Sequence, residues 1–142
     1  MLEFIAARGS ASFLQTPAWA RVKSEWRGER VGFYDGDELT GVGLILYRKL
    51  PKLPRYLAYL PEGPVLDWSR DDIAEHFDAL VTHVKKRQAF AVRIGPAVVH
   101  RIWGTKTIKT AIADDNITSL TEVEPDIVTP EGEHVVSVLK QG

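Results

Sequence analysis

The 142-residue chain carries 18 Lys and Arg against 19 Asp and Glu, no Cys and 44% apolar residues. That is enough apolar material for one globular domain with a core, and it excludes a disordered chain. The lack of cysteine excludes a disulfide framework, a thiolate metal site and a Cys nucleophile, and fits a reducing compartment. The longest apolar runs, such as Val42 to Tyr47, fall far short of the roughly 20 residues that span a bilayer. Met1-Leu-Glu-Phe4 lacks the basic start of a secretory leader, so a cytoplasmic protein without a transmembrane segment is expected. The formal charge of -1 hides an uneven distribution: residues 21 to 56 carry +3, 57 to 83 carry -5, 84 to 110 carry +7 with no acid, and 111 to 142 carry -6. Local patches of this kind, rather than the net value, are what a ligand feels.

In chain order, Thr16-Pro17 reads as an N-cap followed by a proline at the first helical position, where its missing N–H costs nothing. The helix is expected to run to about Trp26. Glu29 to Tyr34 and Leu39 to Tyr47 are rich in strand formers and flank Asp35-Gly36-Asp37-Glu38; Asp-Gly accepts the positive φ of a tight turn, so the pair reads as a hairpin. Leu50 to Pro54 is loop, and Tyr56 to Leu60 is a short buried strand ended by Pro61-Glu62-Gly63-Pro64. A helix is expected from Ser69, because Ile73, Phe77, Leu80, Val81 and Val84 follow a 3.6-residue period. Asp71 and Asp72 suit its start and Lys85-Lys86-Arg87 its negative end. Phe90 to Ile94 reads as a central strand. Further on, Lys106 to Ala113 and His134 to Lys140 read as helices, the second started by Thr129-Pro130. Val135, Val136, Val138 and Leu139 give that last helix an apolar stripe that needs a partner surface. The fold class expected is α/β, a mixed-direction sheet flanked by helices, since a hairpin opens the sheet and a helical crossover follows.

The chain has no G-x-S-x-G, G-x-x-x-x-G-K-[ST], H-E-x-x-H or G-x-G-x-x-G motif. Gly41-Val42-Gly43 lies within a strand and reads as a bulge or a close-packing feature rather than a phosphate loop. His76 and His83, seven apart on one helix, are too distant to grip a metal together and read as solvated or capping; no metal and no cofactor are expected. One local anomaly stands out. Trp19, Val22, Lys23 and Trp26 fall at i, i+3, i+4 and i+7 and would share a helical face. Either Lys23 lays its methylenes on the indoles and carries its ammonium to water, or rigid aromatics hold a point charge for a phosphate. Spacing leaves both open.

Phe13-Leu-Gln-Thr-Pro-Ala-Trp19 with Val22-Lys23 and Trp26, then Leu57-Ala-Tyr-Leu-Pro-Glu-Gly-Pro-Val65, then Val92-Arg-Ile-Gly-Pro96 together resemble the FemABX family, the aminoacyl and peptidyl transferases that add bridge amino acids to peptidoglycan precursors. The motifs come in family order over almost the whole chain. The resemblance implies a GNAT-like acyltransferase subdomain over residues 1–142, the N-terminal one of the two subdomains that family members carry. It also implies transfer of an amino acid from aminoacyl-tRNA to the stem peptide of a lipid-linked or UDP-linked muramyl precursor, at the inner face of the membrane. Lys23, at the place of the family's lysine, would contact the precursor pyrophosphate, with Trp19, Phe90 and Arg93 as the other substrate-binding residues. Phe90 stands where some relatives have a tyrosine that hydrogen-bonds the precursor.

The sequence departs from the family pattern at Gly95, where most relatives have an aspartate considered for a role near the acceptor amine. Gly95 cannot act as a base, and an ammonium cannot attack an ester until it loses a proton. The resemblance therefore leaves the catalytic residue unassigned. A second reading is a non-catalytic half that binds a muramyl precursor or a protein partner, with self-association through the last helix as a stopgap. A coenzyme A acetyltransferase is disfavoured, because no Arg/Gln-x-x-Gly-x-Gly/Ala loop is present to bind the cofactor's pyrophosphate.

Overall fold

The computed structural model describes residues 1–8 and 11–141, and the chain divides into two compact units that meet between Ala97 and Val98. The first unit holds a four-stranded sheet in the order β1-β2-β3-β4, formed by β1 (Arg27–Asp35), β2 (Glu38–Lys49), β3 (Tyr56–Leu60) and β4 (Ala89–Ile94). β1, β2 and β3 are antiparallel neighbours, and β4 runs parallel to β3. The helix between them, α3 (Ile73–Lys86), supplies the crossover that a parallel pair requires. The mixed-direction sheet flanked by helices is therefore present.

The hairpin turns where Asp35-Gly36 lies, with Gly36 at φ +56°. A bulge at Phe33/Tyr34 interrupts the register. β2 is buried without a break from Thr40 to Tyr47 because it lies between β1 and β3, with the helices Leu2–Ala6 and Pro17–Val22 against it and His76 of α3 on Thr40, which explains why its sequence shows an apolar run rather than an alternation. Gly41 is glycine for space: a Cβ there would meet Leu66 Cδ2 at 2.1 Å. This is the close-packing role expected of it.

Two short helices precede the sheet, α1 (Leu2–Ala6) and α2 (Pro17–Val22). α1 has no signal in the sequence, and it forms because Ile5 packs on Val42 and Val65. α2 begins at Pro17 as expected but stops at Val22, four residues early. Lys23 takes φ -92°, ψ 51°, and the Trp26 N–H closes a turn onto the Lys23 carbonyl at 2.9 Å. The backbone turns here so that β1 can start at Arg27, with Gly28 lying where a Cβ would be 2.9 Å from Ala20 Cβ. The shared helical face of Trp19, Val22, Lys23 and Trp26 is thereby corrected: Trp26 lies beyond the helix. β4 is also not central, since β3 is its one neighbour among the described residues.

α3 starts at Ile73 rather than Ser69 and buries Ile73, His76, Leu80 and Val84. His76 is 7% exposed and so is not solvated. Its Nδ1 donates to the Asp72 carbonyl and its Nε2 lies 3.0 Å from Thr40 Oγ1, while its ring stacks on Phe33.

In the second unit, β5 (Arg101–Ile102) and β6 (Ile127–Val128) pair antiparallel, accompanied by α4 (Thr105–Ile112) and α5 (Pro130–Gln141). Asp126 ties the start of α4, accepting the Gly104 N–H at 2.5 Å and the Thr107 hydroxyl at 2.8 Å. Along the stripe of α5, Val135 is buried, Val136 and Val138 are half-buried and Leu139 is 43% exposed. No helix among the described residues is long and apolar enough to cross a membrane.

Candidate functional site

Residues directly opposite on neighbouring strands share a face of a sheet. One row across the first unit is Gly28, Leu46, Tyr59 and Arg93, and the next contains Arg48, Leu57 and Ala91. α2 lies on this face through the contact of Ala20 with Gly28. The rows and the turn after α2 bring a group of cations and rings together. Lys23 Nζ lies 5.5 Å from the Trp19 ring, which in turn meets Phe13 edge-on at 5.5 Å. The Arg48 guanidinium lies 5.7 Å from the Trp26 ring, Trp26 lies 6.3 Å from Tyr59, and the Arg93 guanidinium lies 5.6 Å from Tyr59. Arg48, Trp26, Tyr59 and Arg93 thus form a continuous chain of cation, two rings and cation.

Among the described residues, no carboxylate pairs with Lys23, Arg48 or Arg93. A cation over an aromatic face keeps its charge available while the ring restricts its motion, which is a suitable arrangement for an anion. Of the residues singled out in the sequence, the structure joins Trp19 to Lys23 and places Arg93 on the ring that touches Trp26. Phe90 is the extra residue at the register shift between β3 and β4, 52% exposed and without a ring partner among the described residues. Arg48 and Tyr59 were not singled out. Tyr59 stands within the motif Leu57 to Val65, whereas Arg48 has strand alternation as its signal, which says that it shares a face with Leu46 but not which rings approach it.

The loop at the C-terminal ends of β3 and β4 is fixed by Gln15, whose exposure is 0%. Gln15 Nε2 donates to the Pro61 carbonyl at 2.6 Å and its Oε1 accepts the Leu44 N–H at 2.9 Å. Gly63 is glycine because a Cβ there would lie 2.3 Å from Gln15 Cδ. The Gly95 N–H donates to the Gly63 carbonyl at 3.2 Å, tying β4 to the same loop. A Cβ at Gly95 would have the Glu62 backbone N as its nearest neighbour, at 3.6 Å, so the site has room for a side chain.

The opposite face, under α3, is organised differently. Glu29 accepts from Arg87 Nη2 at 2.7 Å and from the Tyr47 hydroxyl at 2.8 Å, and His83 Nε2 lies 3.3 Å away without hydrogen-bond geometry. Burial opposes ionisation of Glu29, but its partners outweigh that and hold its pKa at about 2. Burial and the Glu29 carboxylate push the Tyr47 hydroxyl far above its usual range. A groove of about 600 Å³ lies beside this network, its lining including Val31, Phe33, Leu80, Glu29, Glu75 and His83. It lies away from the cations, and no metal-binding cluster occurs among the described residues.

The seven cations of the basic stretch belong to several elements of the two units. Lys85, Lys86 and Arg87 end α3, Arg93 lies on β4, and Arg101, Lys106 and Lys109 belong to the second unit.

Comparison with known proteins matches residues 2–123 to the FemAB family. The chain is 34% identical over 98 residues to a lipid II:glycine glycyltransferase of Staphylococcus saprophyticus, covering 67% of this chain and 24% of that protein. It is 35% identical over 98 residues to the enzyme of the same name from Staphylococcus haemolyticus, covering 67% and 23%. Among solved structures, FemX matches with a TM-score of 0.58 and 30% identity over 78% of this chain and 28% of its own. The chain therefore spans about a quarter of the length of these relatives. With its mixed sheet, its ordered motifs and a family match over most of its length, the chain belongs to the FemAB family.

Proposed function

We propose that the first unit is the part of a peptidoglycan bridge aminoacyltransferase that holds the muramyl precursor, with Lys23 on the precursor's pyrophosphate. The observation that carries this reading is the group of cations set on aromatic rings without carboxylate partners. A diphosphate supplies the missing negative charge, and stacked guanidinium or ammonium groups receive it with little loss of side-chain freedom. The relatives named for glycine transfer to lipid II support the substrate class. Trp19, Arg93 and exposed Phe90 would line the rest of the precursor's path, and aminoacyl-tRNA would be the donor in the longer enzyme.

Acyl transfer between two large substrates needs both held with reacting atoms about 3 to 3.5 Å apart. A chain covering a quarter of its relatives supplies one side of such a cleft, so the 142 residues are proposed to bind the precursor and not to turn it over alone. The deciding experiment is titration calorimetry with UDP-muramyl-pentapeptide. Lys23→Ala should weaken binding by about 1.5 to 3 kcal/mol, the range for hydrogen bonds to charged groups, and the difference should shrink with added salt. Equal affinity of both proteins would show that Lys23 only covers Trp19. Transfer from charged tRNA by the unmodified chain would overturn the division of labour.

A further inference from the structure

The loop Pro61-Glu62-Gly63-Pro64 is buried except at one residue. Pro61, Gly63 and Pro64 are buried, whereas Glu62 is exposed and takes φ +47°, a conformation that L residues rarely adopt. The loop is fastened on both sides of Glu62: the Pro61 carbonyl accepts from Gln15 and the Gly63 carbonyl accepts from the Gly95 N–H. Both fastenings are internal to the first unit, so the position of Glu62 is set by the core rather than by solvent. No hydrogen bond or ion pair engages the Glu62 carboxylate among the described residues. A single charged residue on an unfavourable backbone, held by its neighbours and lacking a partner, is the pattern of a residue kept for a ligand.

Its place narrows the ligand. Glu62 follows β3 and faces Gly95, which follows β4, so it stands at the C-terminal ends of the parallel pair, where open sheets bind ligands. Arg93 lies two residues before Gly95, about 7 Å along the strand. The backbone of this exposed acid therefore lies beside Gly95, at the end of the strand whose Arg93 rests on Tyr59. A ligand matching both is an anion that also carries a primary ammonium group. We infer that Glu62 binds the acceptor ammonium of the precursor's stem peptide and selects for the free amine. The inference rests on the precursor reading given above and adds the residue that recognises the amine.

The test compares UDP-muramyl-pentapeptide carrying a free lysine ε-amine with the same molecule acetylated at that amine, titrated into the unmodified chain, Glu62→Gln, Glu62→Asp and Lys23→Ala. The unmodified chain should bind the free amine about tenfold more tightly, the low end for a charge-assisted bond. Glu62→Gln should bind both forms alike, at the affinity of the unmodified chain for the acetylated form, while Glu62→Asp keeps part of the preference. Lys23→Ala should weaken both forms and keep the ratio between them. If the unmodified chain does not distinguish the two forms, or if Glu62→Gln distinguishes them equally well, the assignment of Glu62 is wrong while the precursor site stands. If neither form binds the unmodified chain, the precursor reading fails and Glu62 loses its role with it.

Discussion

Under α3, Glu29 gathers Arg87, Tyr47 and His83 around one partly buried carboxylate, whereas on the other face Lys23, Arg48 and Arg93 rest on Trp19, Trp26 and Tyr59 with no carboxylate among the described residues. Both faces combine cations with aromatic rings, so composition does not distinguish them. The difference lies in what neutralises Arg87 and His83, since Arg27 beside them also rests on rings, Tyr47 and Tyr56, without an ion pair among the described residues. An internal ion pair satisfies its members and contributes to folding, while a cation supported only by a ring retains most of its attraction for an outside anion. The first arrangement is therefore read as structural and the second as a place for a ligand.

The comparison breaks most severely if Gln15 is removed, since it fastens the loop that ends the cation face. Gln15→Leu leaves the Pro61 carbonyl and the Leu44 N–H without their buried partner. A loss of about 2 to 4 kcal/mol is expected in urea unfolding; a loss below about 1 kcal/mol would show that the loop is held by its prolines instead.

Next in size is Glu29→Gln, expected to cost about 1 to 2 kcal/mol at pH 7, because Arg87 is half exposed and regains water when its partner loses charge. The pH dependence has a definite sign. Glu29 is held at a pKa of about 2 against an ordinary 4.5, so its contribution is complete above about pH 4.5 and disappears as pH falls toward 2. Unfolding of the two proteins should differ at pH 7 and converge near pH 2. A difference that is constant across that range would remove the ion pair from the account of this face.

Arg48→Ala sharpens the other side of the contrast. It should weaken UDP-muramyl-pentapeptide binding by about 0.5 to 1.5 kcal/mol, less than Lys23→Ala, and leave the urea midpoint nearly unchanged, since an exposed cation on a ring contributes little to stability. A large stability loss with unchanged affinity would make Arg48 a packing residue over Trp26. The smallest effect is expected from charge reversal at Lys85 and Lys86. They end α3, which packs on the face opposite Lys23, so affinity should stay within about twofold while stability falls by about 0.3 to 1 kcal/mol each through the helix dipole. Strongly weakened binding would extend the anion site to the end of α3.

Much of the fold follows from local chemistry. Asp35-Gly36 sets the hairpin because few other pairs accept its backbone angles, the prolines around Tyr56 to Leu60 delimit β3, and the 3.6-residue period marks α3. Lys23, Trp19 and Arg93 could be singled out because charge beside aromatics, and the family motifs, are visible in one dimension. The end of α2 could not be read, because the helix yields at Lys23 to contacts made by Trp26 with Tyr59 and Arg48, residues far along the chain. α1 depends in the same way on Val42 and Val65, and His76 is buried because a bulge and Thr40 meet it there.

What the sequence determined by itself is therefore the set of elements with strong local signals, the family and the charged residues available for a site. Which cations remain without a carboxylate, which rings support them, and which acid stands against Gly95 were decided only by strand pairing across the sheet. Those relations join residues tens of positions apart, and the alternation of a single strand states which face a side chain takes without stating what it meets there.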